Sequence, residues 1–288
     1  MRKKNSSQKM TIAEALRLTI AEEMRRDKKV FCIGEDIGIK GGFGGAFTVT
    51  LGLSEEFGHD RILDTPISET GIAGVAIGAA LSGMRPIADV QYSDFLFCAM
   101  DQLVNQAAKM RFMSGGKLKV PMVMRAPGGA TTRGSQHSQS LESFFLHVPG
   151  LKVVCPSTAY DAKGLLTSAI RDDSPVLFFE HKLLYGSKGN RAEKGSISPV
   201  GVVPLYDYTI PFGKGKIRRK GSDITILGKL RTVYTALEAS EKLEKYRIEC
   251  EVLDPRTLVP FDVNMLIKSV KKTGRLIIVD ECTKTGGW

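Results

Sequence analysis

Asp64-Thr-Pro-Ile-Ser-Glu69-Thr-Gly-Ile-Ala-Gly-Val-Ala-Ile-Gly-Ala-Ala80 is the stretch on which the reading of the chain turns. A strand ends at Thr65 or Pro66, and Ser68 is a good cap for the helix that follows, which puts Glu69 in its first turn. Gly71, Gly74 and Gly78 lie on one side of that helix. Each glycine costs ~1 kcal/mol relative to alanine in a helix interior, so the spacing predicts a helix held by tight packing against another backbone. An acid at a helix N-terminus complements the dipole. That role alone accounts for Glu69 as well as a chemical one does.

Strand and helix signals alternate on either side of this stretch. Thr11-Ile-Ala-Glu14 is a capping box, and Ile12, Leu16, Ile20 and Met24 recur at helical spacing behind it. Val30 to Gly34 follows as a strand. Further strands are expected at 61–65, 86–92, 120–125, 152–155 and 175–180, and helices at 70–82, 94–113, 141–147 and 159–171. This rhythm implies an α/β fold, a parallel sheet with helices on both faces. Residues 1–9 read as a disordered tail, 10–185 as the first unit and 186–216, rich in Gly, Pro, Ser and Lys, as a linker. A second unit over 217–288 offers three strands (223–227, 251–253, 275–280) and helices at 232–246 and within 260–271. Three strands make a thin sheet, and the closing Gly286-Gly287-Trp288 reads as a turn into something absent, so this unit is expected to be incomplete.

At 288 residues and 42% apolar, the chain is long enough for two cored domains. It contains no apolar run near the roughly 20 residues of a membrane span. The net charge of +10 is spread along the chain, apart from clusters such as Lys214 to Lys220. With no nucleic-acid motif present, an acidic partner or anionic substrate is expected instead. Cys32, Cys98, Cys155, Cys250 and Cys282 include no C-x-x-C pair. Scattered and odd in number, they fit a reducing compartment and buried packing roles rather than a zinc site; the cytoplasm is expected over the mitochondrial matrix because a transit peptide would be longer than the basic N-terminus.

Pro127 to Ser140 is a 14-residue loop without a large aliphatic side chain, and loops of that length are often functional. It carries Arg133 and His137, an imidazole suited to moving protons or meeting an anion; an incidental histidine in a solvated loop explains it equally. A serine-hydrolase reading fails for want of a G-x-S-x-G elbow. Gly41-Gly-Phe-Gly-Gly-Ala-Phe47 lacks the third glycine of a dinucleotide fingerprint and reads as a mobile glycine-rich loop. There is no Walker lysine motif and no H-E-x-x-H.

Together these segments resemble the beta subunits of pyruvate, branched-chain 2-oxoacid and acetoin dehydrogenases, from about Met10 to Gly287. The resemblance rests on Gly34-Glu-Asp-Ile-Gly, Asp64 to Gly83, Met100-Asp-Gln-Leu-Val-Asn-Gln-Ala-Ala-Lys, Gln136-His-Ser-Gln-Ser, Val148-Pro-Gly-Leu-Lys-Val-Val, Asp161-Ala-Lys-Gly-Leu-Leu, Glu180-His-Lys-Leu-Leu-Tyr and Asp254-Pro-Arg-Thr-Leu-Val-Pro. It implies a thiamin-diphosphate-binding fold: a pyrimidine-binding domain over 10–185 and a transketolase C-terminal-like domain over 217–288. It also implies an alpha2-beta2 heterotetramer acting on a 2-oxoacid or acetoin and passing the acyl group to a lipoyl-bearing acyltransferase. The alpha chain of that family carries the magnesium and diphosphate motif, Gly-Asp-Gly followed by Asn-Asn, which this sequence lacks.

By the same resemblance Glu69 hydrogen-bonds the pyrimidine N1′ and favours the imino tautomer, Phe95 stacks on the pyrimidine, and His137 takes part in acyl transfer. A potassium ion held largely by backbone carbonyls is implied at Met122, Ala169, Ile170, Asp172 and Ser174. The Ser-Gln-His-Ser-Gln-Ser-Leu-Glu run leans towards acetoin- and pyruvate-type bacterial members. The sequence departs from the family at Gly228-Lys-Leu-Arg231 and in stopping near Gly287, where members continue. The short end favours an alternative, a non-catalytic or truncated paralogue acting as a binding or regulatory partner. A self-sufficient transketolase-like enzyme conflicts with the missing diphosphate motif.

Overall fold

The computed structural model describes residues 6–186, 197 and 199–288. The chain opens with β1 (Ser7–Met10), α1 (Ile12–Arg26), β2 (Val30–Glu35), α2 (Leu53–Phe57), β3 (Ile62–Thr65), α3 (Glu69–Leu81) and β4 (Arg85–Asp89). A 3-10 segment (Ser93–Ala99) and a π-helical segment (Asp101–Ala107) then lead into α4 (Ala108–Met113). Next come β5 (Val123–Gly128), α5 (Glu142–Leu146), β6 (Lys152–Val154), α6 (Ala159–Arg171), β7 (Val176–His181) and β8 (Gly201–Pro204). The last part is β9 (Lys216–Arg219), β10 (Ile224–Gly228), α7 (Arg231–Leu243), β11 (Cys250–Asp254), β12 (Thr257–Val259), α8 (Val263–Thr273) and β13 (Leu276–Val279).

A seven-stranded sheet in the order β12-β6-β7-β5-β4-β2-β3 forms the body, parallel throughout except for the antiparallel edge strand β12. Its buried strands read as apolar runs because helices cover both faces. The Thr11 capping box forms, with Glu14 N–H donating to Thr11 Oγ1 at 3.2 Å and Thr11 N–H to Glu14 Oε2 at 2.8 Å. It starts α1, whose Ile12, Leu16, Ile20 and Met24 are buried where the helix lies along α6. A second sheet, β13-β10-β11-β9, carries α7 and α8.

Several segments differ from the sequence expectation. Ser7–Met10, read as tail, pairs antiparallel with Gly201–Pro204, read as linker. The expected linker then runs along α6: Ile210 N–H donates to Gly164 O at 3.1 Å, and Tyr208 Oη to Tyr160 O at 2.7 Å. Its polar composition masked a few well-placed apolar residues. Residues 187–196 and 198 of it lie outside the described residues. The second sheet has four strands rather than three, because Lys216–Arg219 adds an antiparallel edge, while Thr257–Val259 crosses to the large sheet. The single helix expected over 94–113 is instead 3-10, then π, then α; Thr70 Oγ1 donates to the Cys98 carbonyl inside that segment. The glycine stripe of α3 is not tightly packed by this chain: Gly71 and Gly78 are exposed, and Gly74 faces Gln102.

The glycine-rich loop at 41–47 is also well held. Gly45 N–H donates to Asp36 O and Ala46 N–H to Gln91 Oε1, while buried Phe47 stacks on Tyr185 at 4.5 Å between centroids. Gly44 adopts φ +67°, and a Cβ there would run into the backbone of Leu51 and Thr50. Gly44→Ala is therefore expected to lower stability by about 1–3 kcal/mol, read as a fall in the denaturation midpoint with an unchanged slope.

Candidate active site

In an open parallel sheet, ligands bind beyond the carboxyl ends of the strands where the strand order reverses. From β2 the chain moves outward to β3 and then returns to β4 on the other side, so the reversal lies between β2 and β4. A cleft of about 260 Å³ opens there. Glu35 reaches it from the end of β2, Glu69 from the start of α3, Asp89 from the end of β4, Tyr92 and Phe95 from the segment after β4, and His137 from the loop after β5. Glu69, Phe95 and His137, singled out separately in the sequence, thus share one cavity.

Glu69 is half-buried as the first residue of α3, and the Ser68 cap forms, its Oγ accepting from Gly71 N–H at 3.3 Å. Below it, Ile72 is buried in the core. Phe95 and His137 meet edge to face at 5.3 Å, and Tyr92 meets His137 at 4.9 Å and Phe95 at 6.3 Å. The His137 loop is pinned from several sides. Asp94 Oδ1 accepts from Gln139 N–H at 3.2 Å and Nε2–H at 2.9 Å, Gly129 N–H donates to Gln139 O at 2.9 Å, and the Thr131 and Ser138 hydroxyls bond at 2.9 Å. Arg133 Nη1 donates to Tyr92 Oη at 2.9 Å.

Three features here escaped the sequence reading. Glu35 faces the cleft, and burial followed by the nearby charges of Asp36, Glu69, Asp64 and Asp89 lifts its pKa above the ordinary carboxylate range. Its signal was an acid at the very end of an apolar strand. Gln91 ties the glycine-rich loop to this strand, accepting from Ala46 N–H and donating to Glu35 O at 2.6 Å. Beneath the cleft, buried Arg125 donates to Glu180 at 2.7 and 2.6 Å and also pairs with Asp89. Desolvation raises the Asp89 pKa, opposed by Arg125.

The five positions expected to hold potassium fall near the C-terminal end of α6 and the start of β5 and β7. Their carbonyls already take part in hydrogen bonds: Met122 O accepts from Val176 N–H, Ala169 O from Asp172 N–H, and Ile170 O and Asp172 O from Arg85 Nη1 at 2.9 and 3.0 Å. The Ser174 hydroxyl accepts from Arg111. Among the described residues no group of three or more His, Cys, Asp or Glu is placed to hold a metal, and no helix is long and apolar enough to cross a membrane.

Residues 8–188 match the family described as "Transketolase, pyrimidine binding domain", and residues 213–288 match "Transketolase, C-terminal domain". The chain is 48% identical to the 2-oxoisovalerate dehydrogenase subunit beta of Bacillus subtilis, over 96% of this chain and 81% of that one. The chain belongs to the 2-oxoacid and acetoin dehydrogenase beta-subunit family. Other relatives are the acetoin:2,6-dichlorophenolindophenol oxidoreductase subunit beta of Cupriavidus necator (48%, covering 96% and 80%) and the pyruvate dehydrogenase E1 component subunit beta of Rickettsia felis (47%, covering 97% and 80%). A solved "split gene transketolase, inactive beta4 tetramer" superposes with a TM-score of 0.75 at 21% identity, over 97% of this chain and 83% of that one, which establishes the shared fold. These dehydrogenase relatives support the enzyme-subunit reading and lend nothing to the binding-only alternative.

In this beta subunit the raised pKa of Glu35 has a definite linkage sign. A carboxyl whose folded pKa lies above its unfolded value adds stability that is complete below the unfolded pKa and is lost as pH rises through the folded one. Glu35→Gln, which cannot ionise, is expected to melt above the wild-type chain near neutrality. That advantage should shrink to nothing below about pH 4; a pH-independent Tm difference would contradict the assignment.

Proposed function

We propose that this chain supplies one half of a thiamin-diphosphate site and, with an alpha subunit in an alpha2-beta2 heterotetramer, decarboxylates a 2-oxoacid or cleaves acetoin. The acyl group then passes to the lipoyl group of an acyltransferase component. The observation that carries the reading is the convergence of Glu69, Phe95 and His137 on one cleft at the sheet's switch point. The cleft also fits the cofactor chemically. It offers a carboxyl at a helix N-terminus and aromatic rings, matching an aminopyrimidine, while the sequence carries no diphosphate or magnesium motif. The magnesium diphosphate end is assigned to the alpha subunit.

When bound, thiamin diphosphate supplies the stabilisation of carbanionic character that the reaction needs. This chain's part is to set its protonation and surroundings. Glu69 would hydrogen-bond the aminopyrimidine and hold a proton at N1′. Glu35, whose pKa is raised by burial and then by neighbouring acids including Glu69, favours its protonated form. Phe95 offers its ring to the pyrimidine. His137, held between Tyr92 and Phe95, moves a proton during acyl transfer.

A potassium ion is proposed at the oxygens of Met122, Ala169, Ile170, Asp172 and Ser174. Carbonyl oxygens have two lone pairs, so the hydrogen bonds they accept leave capacity for a hard cation; no step depends on it. Buried Cys32, Cys155 and Cys250 suit the reducing cytoplasm, and burial pushes the Cys32 thiol up to about 12.

Glu69→Gln in the reconstituted alpha–beta assembly is expected to slow both exchange of the cofactor's C2 proton and decarboxylation by about 100-fold or more, with assembly intact. Turnover at the wild-type rate would remove Glu69 from this role.

A further inference from the structure

The end of β7 and the turn after it place two consecutive side chains at the His137 loop. Buried His181 pairs through Nε2 with Glu281, which also accepts from Ser140 Oγ at 3.3 Å. Its neighbour Lys182 is buried as well. Its ammonium donates to the His137 backbone carbonyl and lies 5.0 Å from the centroid of Tyr92, on the ring face. Tyr92 is the ring whose edge contacts meet His137 and Phe95, and its hydroxyl accepts from Arg133. One ammonium therefore fixes both the backbone of His137 and the ring against which its imidazole rests. A buried ammonium loses its hydration, so fixed acceptors hold it strongly, a carbonyl oxygen and an aromatic face being two such acceptors.

We propose that Lys182 is a positioning residue for His137, setting the imidazole's place in the cleft during acyl transfer. The proposal rests on the role given to His137 under the proposed function. The Lys182 ammonium reaches two groups of the site at once, the His137 carbonyl and the Tyr92 ring. Lys182 is not among the residues lining the cleft and acts through His137 and Tyr92.

A double-mutant cycle in the reconstituted alpha–beta assembly tests it. Lys182→Met is expected to lower kcat for acylation of a free lipoyl domain about tenfold, with KM for that domain within twofold, and to raise amide exchange in the loop peptide 130–140. In a His137→Ala background the same substitution should cost nothing further. Lys182→Gln, which keeps a neutral donor, is measured in parallel and should fall between wild type and Met; it carries the cycle if the Met chain does not assemble. An additive loss in the His137→Ala background, or unchanged loop exchange, overturns the Lys182 proposal. Wild-type acylation by His137→Ala alone would instead overturn the reading of His137, a separately recognisable result.

Discussion

One guanidinium, that of Arg125, crosses the centre of the sheet directly beneath the cleft. It starts on β5, takes Glu180 of β7 in two hydrogen bonds and pairs with Asp89 at the end of β4. Tyr185 Oη donates to the same Glu180, and its ring stacks on Phe47 of the glycine-rich loop. Removing these charges from water costs several kcal/mol per ion, and close, multiply bonded geometry is what offsets it. The arrangement thus holds three strand ends at fixed spacing, and the chain leaving β4 and β5 carries Asp89, Tyr92, Phe95 and His137 into the cleft. Gln91 extends it sideways by tying the glycine-rich loop to the end of β2.

On this platform the chain assembles acids and aromatic rings. Glu35, Glu69 and Asp89 line the same cleft, and burial raises the pKa of Glu35 and of Asp89. Tyr92, Phe95 and His137 line it too and meet through edge-to-face contacts. Such a site can hold a proton and a flat heterocycle. The sequence lacks the Gly-Asp-Gly and Asn-Asn motif, so in the proposed function the cofactor site is divided between two chains.

Much of this was legible in the sequence for identifiable reasons. The Thr11 capping box and the Ser68 cap are local signals, and both form as read. The parallel sheet followed from alternation, and the family from many ordered matches. Glu69 and His137 stood out because each sits in a marked local pattern, whereas Phe95 came only from the family resemblance. Glu35, Gln91 and Arg125 were missed because their significance depends on strand order, which brings residues from 35 to 180 together. The pairing of 7–10 with 201–204 was likewise invisible, since each segment is short and gains its meaning only from the other. The glycine-rich loop was read as mobile because composition records freedom, whereas Phe47 and Gln91 remove it.

The central claim is that this chain carries only half of a thiamin-diphosphate site. Calorimetric titration of the isolated chain with thiamin diphosphate and magnesium tests it most directly, alongside the same titration after an alpha subunit is added. The account predicts no saturable heat from the chain alone and a saturable isotherm from the assembly. Saturation by the isolated chain, at a similar affinity, would contradict it.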